Sequence, residues 1–112
     1  MTVRLLALTV LAALSFSARA DFHTVQQAYE VALTNFQAPV SLNGMLTIRE
    51  CDGCEPRSLR VDANTRYELN QETLDLQQFR KRLLTVRDRD NTWLTVLHHL
   101  ERDTVTVVSL TL

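Results

Sequence analysis

The chain is poor in the residues that build the commonest catalytic and cofactor-binding motifs. Its 112 residues include only two glycines, two prolines and two cysteines. Two glycines cannot form a glycine-rich phosphate-binding loop, which excludes the usual nucleotide-binding motifs. No serine lies in a G-x-S-x-G sequence, so the sequence names no nucleophile of the α/β-hydrolase type. We therefore predict no catalytic residue and no cofactor.

Basic charge is not in surplus. Lys and Arg together number 12, against 13 Asp and Glu residues. If residues 1–20 are removed, Arg4 and Arg19 go with them, leaving 10 basic against 13 acidic side chains and a net charge of −3 with neutral histidines. Proteins that bind the phosphate backbone of nucleic acid gather an excess of Lys and Arg on one face. We predict that nucleic acid is not the partner.

A long apolar run occurs only near the amino terminus. Residues 1–20 contain Arg4, an apolar run over residues 5–16, and the sequence Ala18-Arg19-Ala20. This is the three-part plan of a secretory signal peptide with a small-x-small cleavage site, and the run is too short to span a bilayer. We predict cleavage after Ala20, a periplasmic or secreted mature protein, and no integral membrane segment in it.

Residues 21–112 are enough for one small domain with a single core. Their first part, residues 21–36, places apolar side chains at steps of three and four, which predicts an amphipathic helix. Asp21 or Thr24 can cap its start, and Pro39 follows its end. The helix would pack on the rest of the chain or in the groove of a partner protein. Its predicted apolar stripe is Phe22, Val25, Ala28, Tyr29, Ala32, Leu33 and Phe36.

Beyond Asn43-Gly44 the apolar residues follow a period of two. Residues 45–50 predict a strand, and residues 59–69 alternate between apolar and charged side chains. Asp75 and Gln78 form a capping box ahead of an apolar pattern, which predicts a short inserted helix ending in the basic residues 80–82.

The last third of the chain is rich in valine, threonine and leucine. It predicts strands at residues 84–87, 92–100 and 104–112, separated by polar turns, as two antiparallel hairpins that share a central strand. The fold class is therefore α+β: an N-terminal amphipathic helix packed on a small curved antiparallel sheet or OB-like barrel, with a short inserted helix.

A resemblance supports the barrel. Residues 61–70, VDANTRYELN, then Leu76 and Phe79, then paired strands ending in the valine-rich residues 107–110, are similar to small bacterial secreted OB-like barrel domains. Those domains run V-x-x-x-T-x-Y/F-x-x-N/G, a short linker and valine-rich strands. The resemblance covers residues 59–112, and the helical stretch 79–83 replaces the glycine that such domains place before the next strand. It implies a fold and carries over no functional residue.

The two cysteines are spaced C-x-x-C as Cys51-Asp52-Gly53-Cys54. Asp-Gly is a strong signal for a two-residue turn, and the residues flanking such a turn face each other at about 5.5 Å between Cα atoms. A disulfide accepts that separation, and an oxidising compartment favours it. We predict a structural Cys51–Cys54 disulfide at a hairpin tip.

Two other roles for the cysteines stay open. A thioredoxin-type pair requires its first cysteine at a helix N-terminus, but an alternating strand is predicted after Cys54. Neighbouring carboxylates of Glu50, Asp52 and Glu55 should also raise a thiol pKa. A zinc or copper site would require further ligands besides Cys51 and Cys54. The candidates are His98, His99 and His23.

His98 and His99 lie in the predicted strand 92–100, so they point to opposite faces and at most one could join a shared metal site. The other features of this strand are also interpreted structurally: one histidine lies on an apolar face, and Trp93 belongs to the core. Asp88 and Asp90 are interpreted as residues of a solvated turn.

Taken together, the patterns predict a non-enzymatic binding or accessory protein of the bacterial cell envelope that is cross-linked by the Cys51–Cys54 disulfide. Its partner would be an unidentified envelope protein or a small ligand. The alternative is a thiol-redox or metal-handling protein that uses Cys51 and Cys54, with His98 or His99 as a further ligand.

Overall fold

A computed structural model of the chain describes residues 25–112. The predicted signal peptide, the predicted caps Asp21 and Thr24, and His23 lie outside the described residues. The described part is α+β and consists mostly of strands. In chain order its elements are β1 Gln26–Ala32, a 3-10 helix Leu33–Asn35, β2 Phe36–Gln37, β3 Met45–Ile48, β4 Arg57–Arg60, β5 Arg66–Leu69, β6 Glu72–Leu74, α1 Leu76–Leu84, β7 Trp93–His99 and β8 Thr104–Leu110.

Five strands form the larger sheet, in the order β1-β7-β8-β5-β6. β1 pairs with β7 along its whole length, from Gln26 opposite His99 to Ala32 opposite Trp93. The β7–β8 hairpin confirms the prediction for residues 92–112. One pair, β5 with β8, is parallel, so the sheet is not wholly antiparallel as predicted. A parallel pair requires a long crossover, and the segment containing β6, α1 and β7 supplies it.

The smaller sheet has the order β2-β3-β4 and is joined to the larger one by two bends. The 3-10 helix Leu33–Asn35 carries the chain from β1 into β2. A tight turn carries it from β4 into β5, where the Thr65 amide donates to the Asp62 carbonyl at 3.1 Å. Among residues 25–112 both sheets are open, and the predicted closure into a barrel is not found.

The core lies between the two sheets and α1. The α1 helix buries Leu76, Phe79 and Leu83 on one face, as its sequence pattern predicts. Its N-terminus is closed by the predicted capping box: the Gln78 amide donates to Asp75 Oδ1 at 2.8 Å, and the Asp75 amide donates to Gln78 Oε1 at 3.3 Å. The buried hydrophobic cluster comprises Tyr29, Val31, Leu33, Phe36, Leu46, Ile48, Leu59, Val61, Tyr67, Leu69, Leu76, Phe79, Leu83, Leu94, Val96, Val105, Val108 and Leu110.

The predicted N-terminal helix is wrong where the structure describes it, because residues 26–32 form β1 instead. Tyr29 and Val31 are buried while Glu30 is exposed, which is the alternation of a strand. Val25 and Ala28, two members of the predicted stripe, are exposed. Pairing with β7 satisfies the backbone groups of both strands, and this long-range gain overrides a local helical pattern.

The predicted strand at residues 84–87 is also wrong. Leu84 is the last residue of α1, and Thr85 caps the helix by donating its amide to the Arg82 and Leu83 carbonyls. The first predicted hairpin therefore does not form. The neighbour of β7 on that side is β1, which is distant in sequence.

Tyr67 provides a test of the core. Its hydroxyl is buried and has no hydrogen-bond partner among residues 25–112. Burial, and secondly the nearby Asp62 carboxylate, raise the pKa of Tyr67 to about 12. Above pH 10 the unfolded chain ionises this tyrosine while the folded chain keeps it neutral, so the free energy of unfolding falls between pH 10 and about 12.

We predict that Tyr67→Phe leaves stability at pH 8 unchanged or raises it by about 1 kcal/mol, because it removes an unsatisfied buried hydroxyl. Between pH 8 and pH 11 the wild type should lose about 1.4 kcal/mol through this group, and the variant should lack that part of the loss. Urea unfolding at pH 8, 10 and 11 measures both quantities. The control is Tyr29→Phe, which removes a hydroxyl that accepts a hydrogen bond from Arg57 and should cost about 1 kcal/mol. Equal alkaline loss in wild type and Tyr67→Phe would contradict the assignment.

Candidate functional site

The two cysteines form the predicted disulfide. Cys51 and Cys54 lie in the connection between β3 and β4, with their Cα atoms 5.1 Å apart, inside the range that disulfides adopt. The Cys54 amide donates to the Cys51 carbonyl at 3.1 Å, which closes a turn with Asp52 and Gly53 at its centre. The bridge therefore pins the tip of the β3–β4 hairpin.

This position differs from that of a thioredoxin-type pair. The chain continues from Cys54 into β4, whereas α1 begins only at Leu76. Neither sulfur is therefore placed at the N-terminus of a helix, the position where backbone amides stabilise a thiolate. In the described part of the chain both cysteines are oxidised and none is free.

The histidines lie at the far end of β7 and support the β7–β8 turn. His98 is buried on the same face as Leu94 and Val96, as the alternation predicts, and its Nε2 lies 2.8 Å from Asp103 Oδ1. A register irregularity between Leu97 and His98 accompanies this contact. His99 is half-buried, and its Nδ1 accepts the Arg102 amide at 3.1 Å.

The structure does not assemble the alternative metal site. Cys51 and Cys54 lie in the loop that joins β3 and β4 of the smaller sheet and are bonded to each other, while His98 and His99 belong to β7 of the larger sheet. Across residues 25–112, no group of three or more His, Cys, Asp or Glu side chains is arranged to hold a metal ion. The fifth candidate, His23, lies outside the described residues.

A cleft lies between the disulfide loop, the 3-10 helix and the start of β7. It has a volume of about 580 Å³, within the range of small-ligand sites. We call it the Trp93 cleft. Its lining residues are Ala32, Thr34, Asn35, Glu50, Cys51, Asp52, Asp90 and Trp93.

Polar contacts from the 3-10 helix hold the two sides of the Trp93 cleft in place. On one side the Asn35 amide nitrogen Nδ2 donates to Asp52 Oδ1 at 3.2 Å, which fixes the disulfide loop. On the other side the Thr34 hydroxyl donates to Asp90 Oδ1. The Leu33 amide also donates to the Thr92 carbonyl at 2.7 Å. The cleft is therefore built from three chain segments that meet at one bend.

Trp93 is the exposed aromatic residue of this cleft. It is 57% exposed, so the prediction that it belongs to the core is wrong. Its position in β7 explains this, because Leu94, Val96 and His98 take the inward face and leave Trp93 on the outward one. The alternation of the strand was a signal for this exposure, since Trp93 has the opposite parity to those three residues.

Three carboxylates share the cleft with Trp93, and no basic side chain lines it. Glu50, Asp52 and Asp90 are exposed. Arg57 lies beyond the rim, where its Nη2 is 3.6 Å from a Glu50 carboxylate oxygen and its Nη1 donates to the Tyr29 hydroxyl at 3.1 Å. The cleft thus combines an aromatic face with negative charge, which suits a cationic group.

Comparison of the chain with protein-family models, with curated proteins and with solved structures gave no match. Within residues 25–112, no helix is long and apolar enough to cross a membrane.

The disulfide gives a direct test of how the cleft is held. Replacing both Cys51 and Cys54 by serine should lower the free energy of unfolding by about 2 kcal/mol, the value expected for closing so short a loop. The fold should persist, because the loop contributes no side chain to the buried hydrophobic cluster. The fluorescence of Trp93, the single tryptophan, should report a looser cleft in the folded variant. Unchanged stability and fluorescence would contradict a structural role for the bridge.

Proposed function

We propose that this protein is a non-enzymatic binding module of the bacterial cell envelope, exported to the periplasm or secreted, that holds a cationic segment of a partner protein in the Trp93 cleft. The observation that carries this proposal is the exposed Trp93 side chain beside three carboxylates. Exposed tryptophans in clefts are common anchors of protein interfaces. The disulfide is compatible with an oxidising compartment.

The charge of the cleft argues for a basic partner. A Lys or Arg side chain laid over an indole ring is attracted by its π-electrons. Glu50, Asp52 and Asp90 would add electrostatic attraction, chiefly increasing the association rate and the selectivity. The carboxylates of Asp52 and Asp90 are positioned by hydrogen bonds from Asn35 and Thr34, so little reorganisation is required on binding.

We further propose that the two sheets represent a partly open OB-like arrangement. The support is strand order. If β1 and β2 count as one bent strand, and β4 and β5 as another, the order around the molecule is β1/β2, β3, β4/β5, β8, β7 and back to β1. OB domains are five-stranded, partly open Greek-key barrels. Along the chain, the inserted helix α1 lies between β4/β5 and β7.

Export has a separate test. Protein recovered from the periplasm or medium should begin at Asp21, with an intact mass about 2 Da below that of the fully reduced chain, as one disulfide requires. Recovery of the uncleaved chain from the cytoplasm, with both thiols free, would contradict the proposed compartment.

The binding proposal predicts that a short arginine- and lysine-containing peptide shifts or quenches Trp93 fluorescence saturably, while an acidic peptide of the same length does not. The double variant Asp52→Asn/Asp90→Asn should weaken this binding at least tenfold, because asparagine can keep the hydrogen bonds to Asn35 and Thr34 but loses the charge. Raising the salt concentration should weaken it further.

Two controls separate site effects from general ones. Glu72→Gln with Asp75→Asn removes the same number of charges on β6 and at the α1 cap, outside the cleft, and should leave the affinity within twofold. Leu112→Ala shortens an exposed side chain outside the cleft and should give the same Trp93 fluorescence response to the basic peptide as the wild type. Equal responses to the basic and acidic peptides would overturn the proposal.

A further inference from the structure

A second concave surface lies between α1 and the segment that follows the 3-10 helix. It has a volume of about 410 Å³ and shares no lining residue with the Trp93 cleft. We call it the helix groove. Buried Phe36 and Leu83 contribute to its floor, and the aliphatic side chains of Val40 and Leu84 stand at its edge.

The aliphatic edge of the helix groove is unusually exposed. Leu84 is 82% exposed and Val40 is 73% exposed, the two highest values among the large hydrophobic residues of the described chain. On α1, Leu84 follows Lys81 by three residues, so the two share one outward face while Leu76, Phe79 and Leu83 face the core. An apolar chain lying in the groove would remove this aliphatic surface from water.

The polar lining of the groove carries one sign of charge. Arg80, Lys81 and Arg89 line it, and no Asp or Glu does, although acidic residues outnumber basic ones in the chain. None of the three cations takes part in an ion pair among residues 25–112. Arg89 is held in place because its Nη1 donates to the Leu83 carbonyl at 2.9 Å. The groove therefore joins an apolar floor to a cationic rim, in which Arg89 is held in place.

From this combination we propose that the helix groove binds a single anionic amphiphile, a molecule with an aliphatic chain and a carboxylate head. The chain would lie against Phe36, Leu83 and Leu84, and the carboxylate would contact Arg80 and Lys81. Small-ligand sites combine apolar side chains with polar groups in clefts of this size. The proposal does not rest on the function proposed for the Trp93 cleft.

The geometry favours a monomeric amphiphile over other anions. Inorganic phosphate would leave the apolar floor unfilled. A single-stranded nucleic acid requires exposed aromatic faces for stacking, and Phe36 is buried. A flat bilayer surface can contact Leu84 and Val40 but cannot reach the buried side chains of Phe36 and Leu83.

Lys81 offers a selective probe, because it is the single lysine of the chain. Reductive methylation with ¹³C-formaldehyde keeps its positive charge and labels it together with the terminal amine, which gives a separate signal. The ligands are dodecanoate below its micelle concentration, acetate as the head alone, and dodecyltrimethylammonium as the same chain with the opposite charge. We expect dodecanoate to shift the Lys81 signal saturably, acetate to require at least a hundredfold higher concentration, and the cationic amphiphile to have no effect.

Variants test the two halves of the site. Arg80→Gln should weaken dodecanoate binding at least fivefold through loss of charge, and Leu84→Asn at least fivefold through loss of the apolar edge. Arg82→Gln is the matched control, since Arg82 belongs to the same basic cluster of α1 but does not line the groove, and it should bind within twofold of wild type. Thermal unfolding without ligand confirms that each variant is folded.

Three outcomes would overturn the proposal. The first is equal binding of dodecanoate and dodecyltrimethylammonium. The second is dodecanoate binding that Arg80→Gln and Leu84→Asn leave unchanged. The third is a Lys81 response to phosphatidylglycerol vesicles, or to an acidic amphipathic peptide, without a response to monomeric dodecanoate, which would assign the groove to a membrane surface or a protein partner instead.

Discussion

The bend at Leu33–Asn35 is the constraint on which the rest of the structure depends. Leu33 is fully buried, and its amide donates to the Thr92 carbonyl at 2.7 Å, which joins the end of β1 to the start of β7. Two residues later, the Asn35 carbonyl accepts the Arg49 amide at 2.9 Å at the end of β3. One short turn of 3-10 helix therefore passes the chain from the larger sheet to the smaller one while keeping its backbone groups satisfied.

The same bend sets the positions of both concave surfaces. Thr34 and Asn35 line the Trp93 cleft, whereas Phe36 and Gln37, which follow directly, line the helix groove. The chain changes from 3-10 helix to strand between Asn35 and Phe36, so one passage of chain supplies two surfaces. Their charges are opposite because different neighbours complete them: the disulfide loop and Asp90 bring carboxylates, and α1 with Arg89 brings cations. Because the chain has a net charge near zero, its composition does not reveal that negative and positive charge lie on two different surfaces.

The features that could be predicted from the sequence are those determined by neighbouring residues. Asp75 and Gln78 cap α1 as their spacing predicts, and Asp52-Gly53 places Cys51 and Cys54 across a turn. The inward position of His98 follows from the alternation of β7. Each of these depends on contacts within about ten residues of chain, where hydrogen-bonding and spacing rules apply directly.

The features that could not be predicted depend on distant segments. In residues 26–36 the apolar side chains fit a helical period and, through Tyr29, Val31 and Leu33, also a strand period. Pairing with β7, more than sixty residues away, decides between them. The parallel pairing of β5 with β8 is equally nonlocal. The Trp93 cleft collects residues from three separated segments, so its acidic character does not exist as a motif in the chain.

The disulfide lies in a loop that few other contacts hold in place. The connection between β3 and β4, residues 49–56, contains no fully buried side chain, so hydrophobic burial cannot hold it. A bridge across so short a loop adds only modest global stability, because closing a few residues removes little conformational entropy from the unfolded chain. Its larger effect is local: it limits the conformations of Asp52, whose carboxylate then meets Asn35 at the bend. The disulfide and the Asp52–Asn35 contact together hold one wall of the Trp93 cleft, a wall that has no side chain in the hydrophobic core.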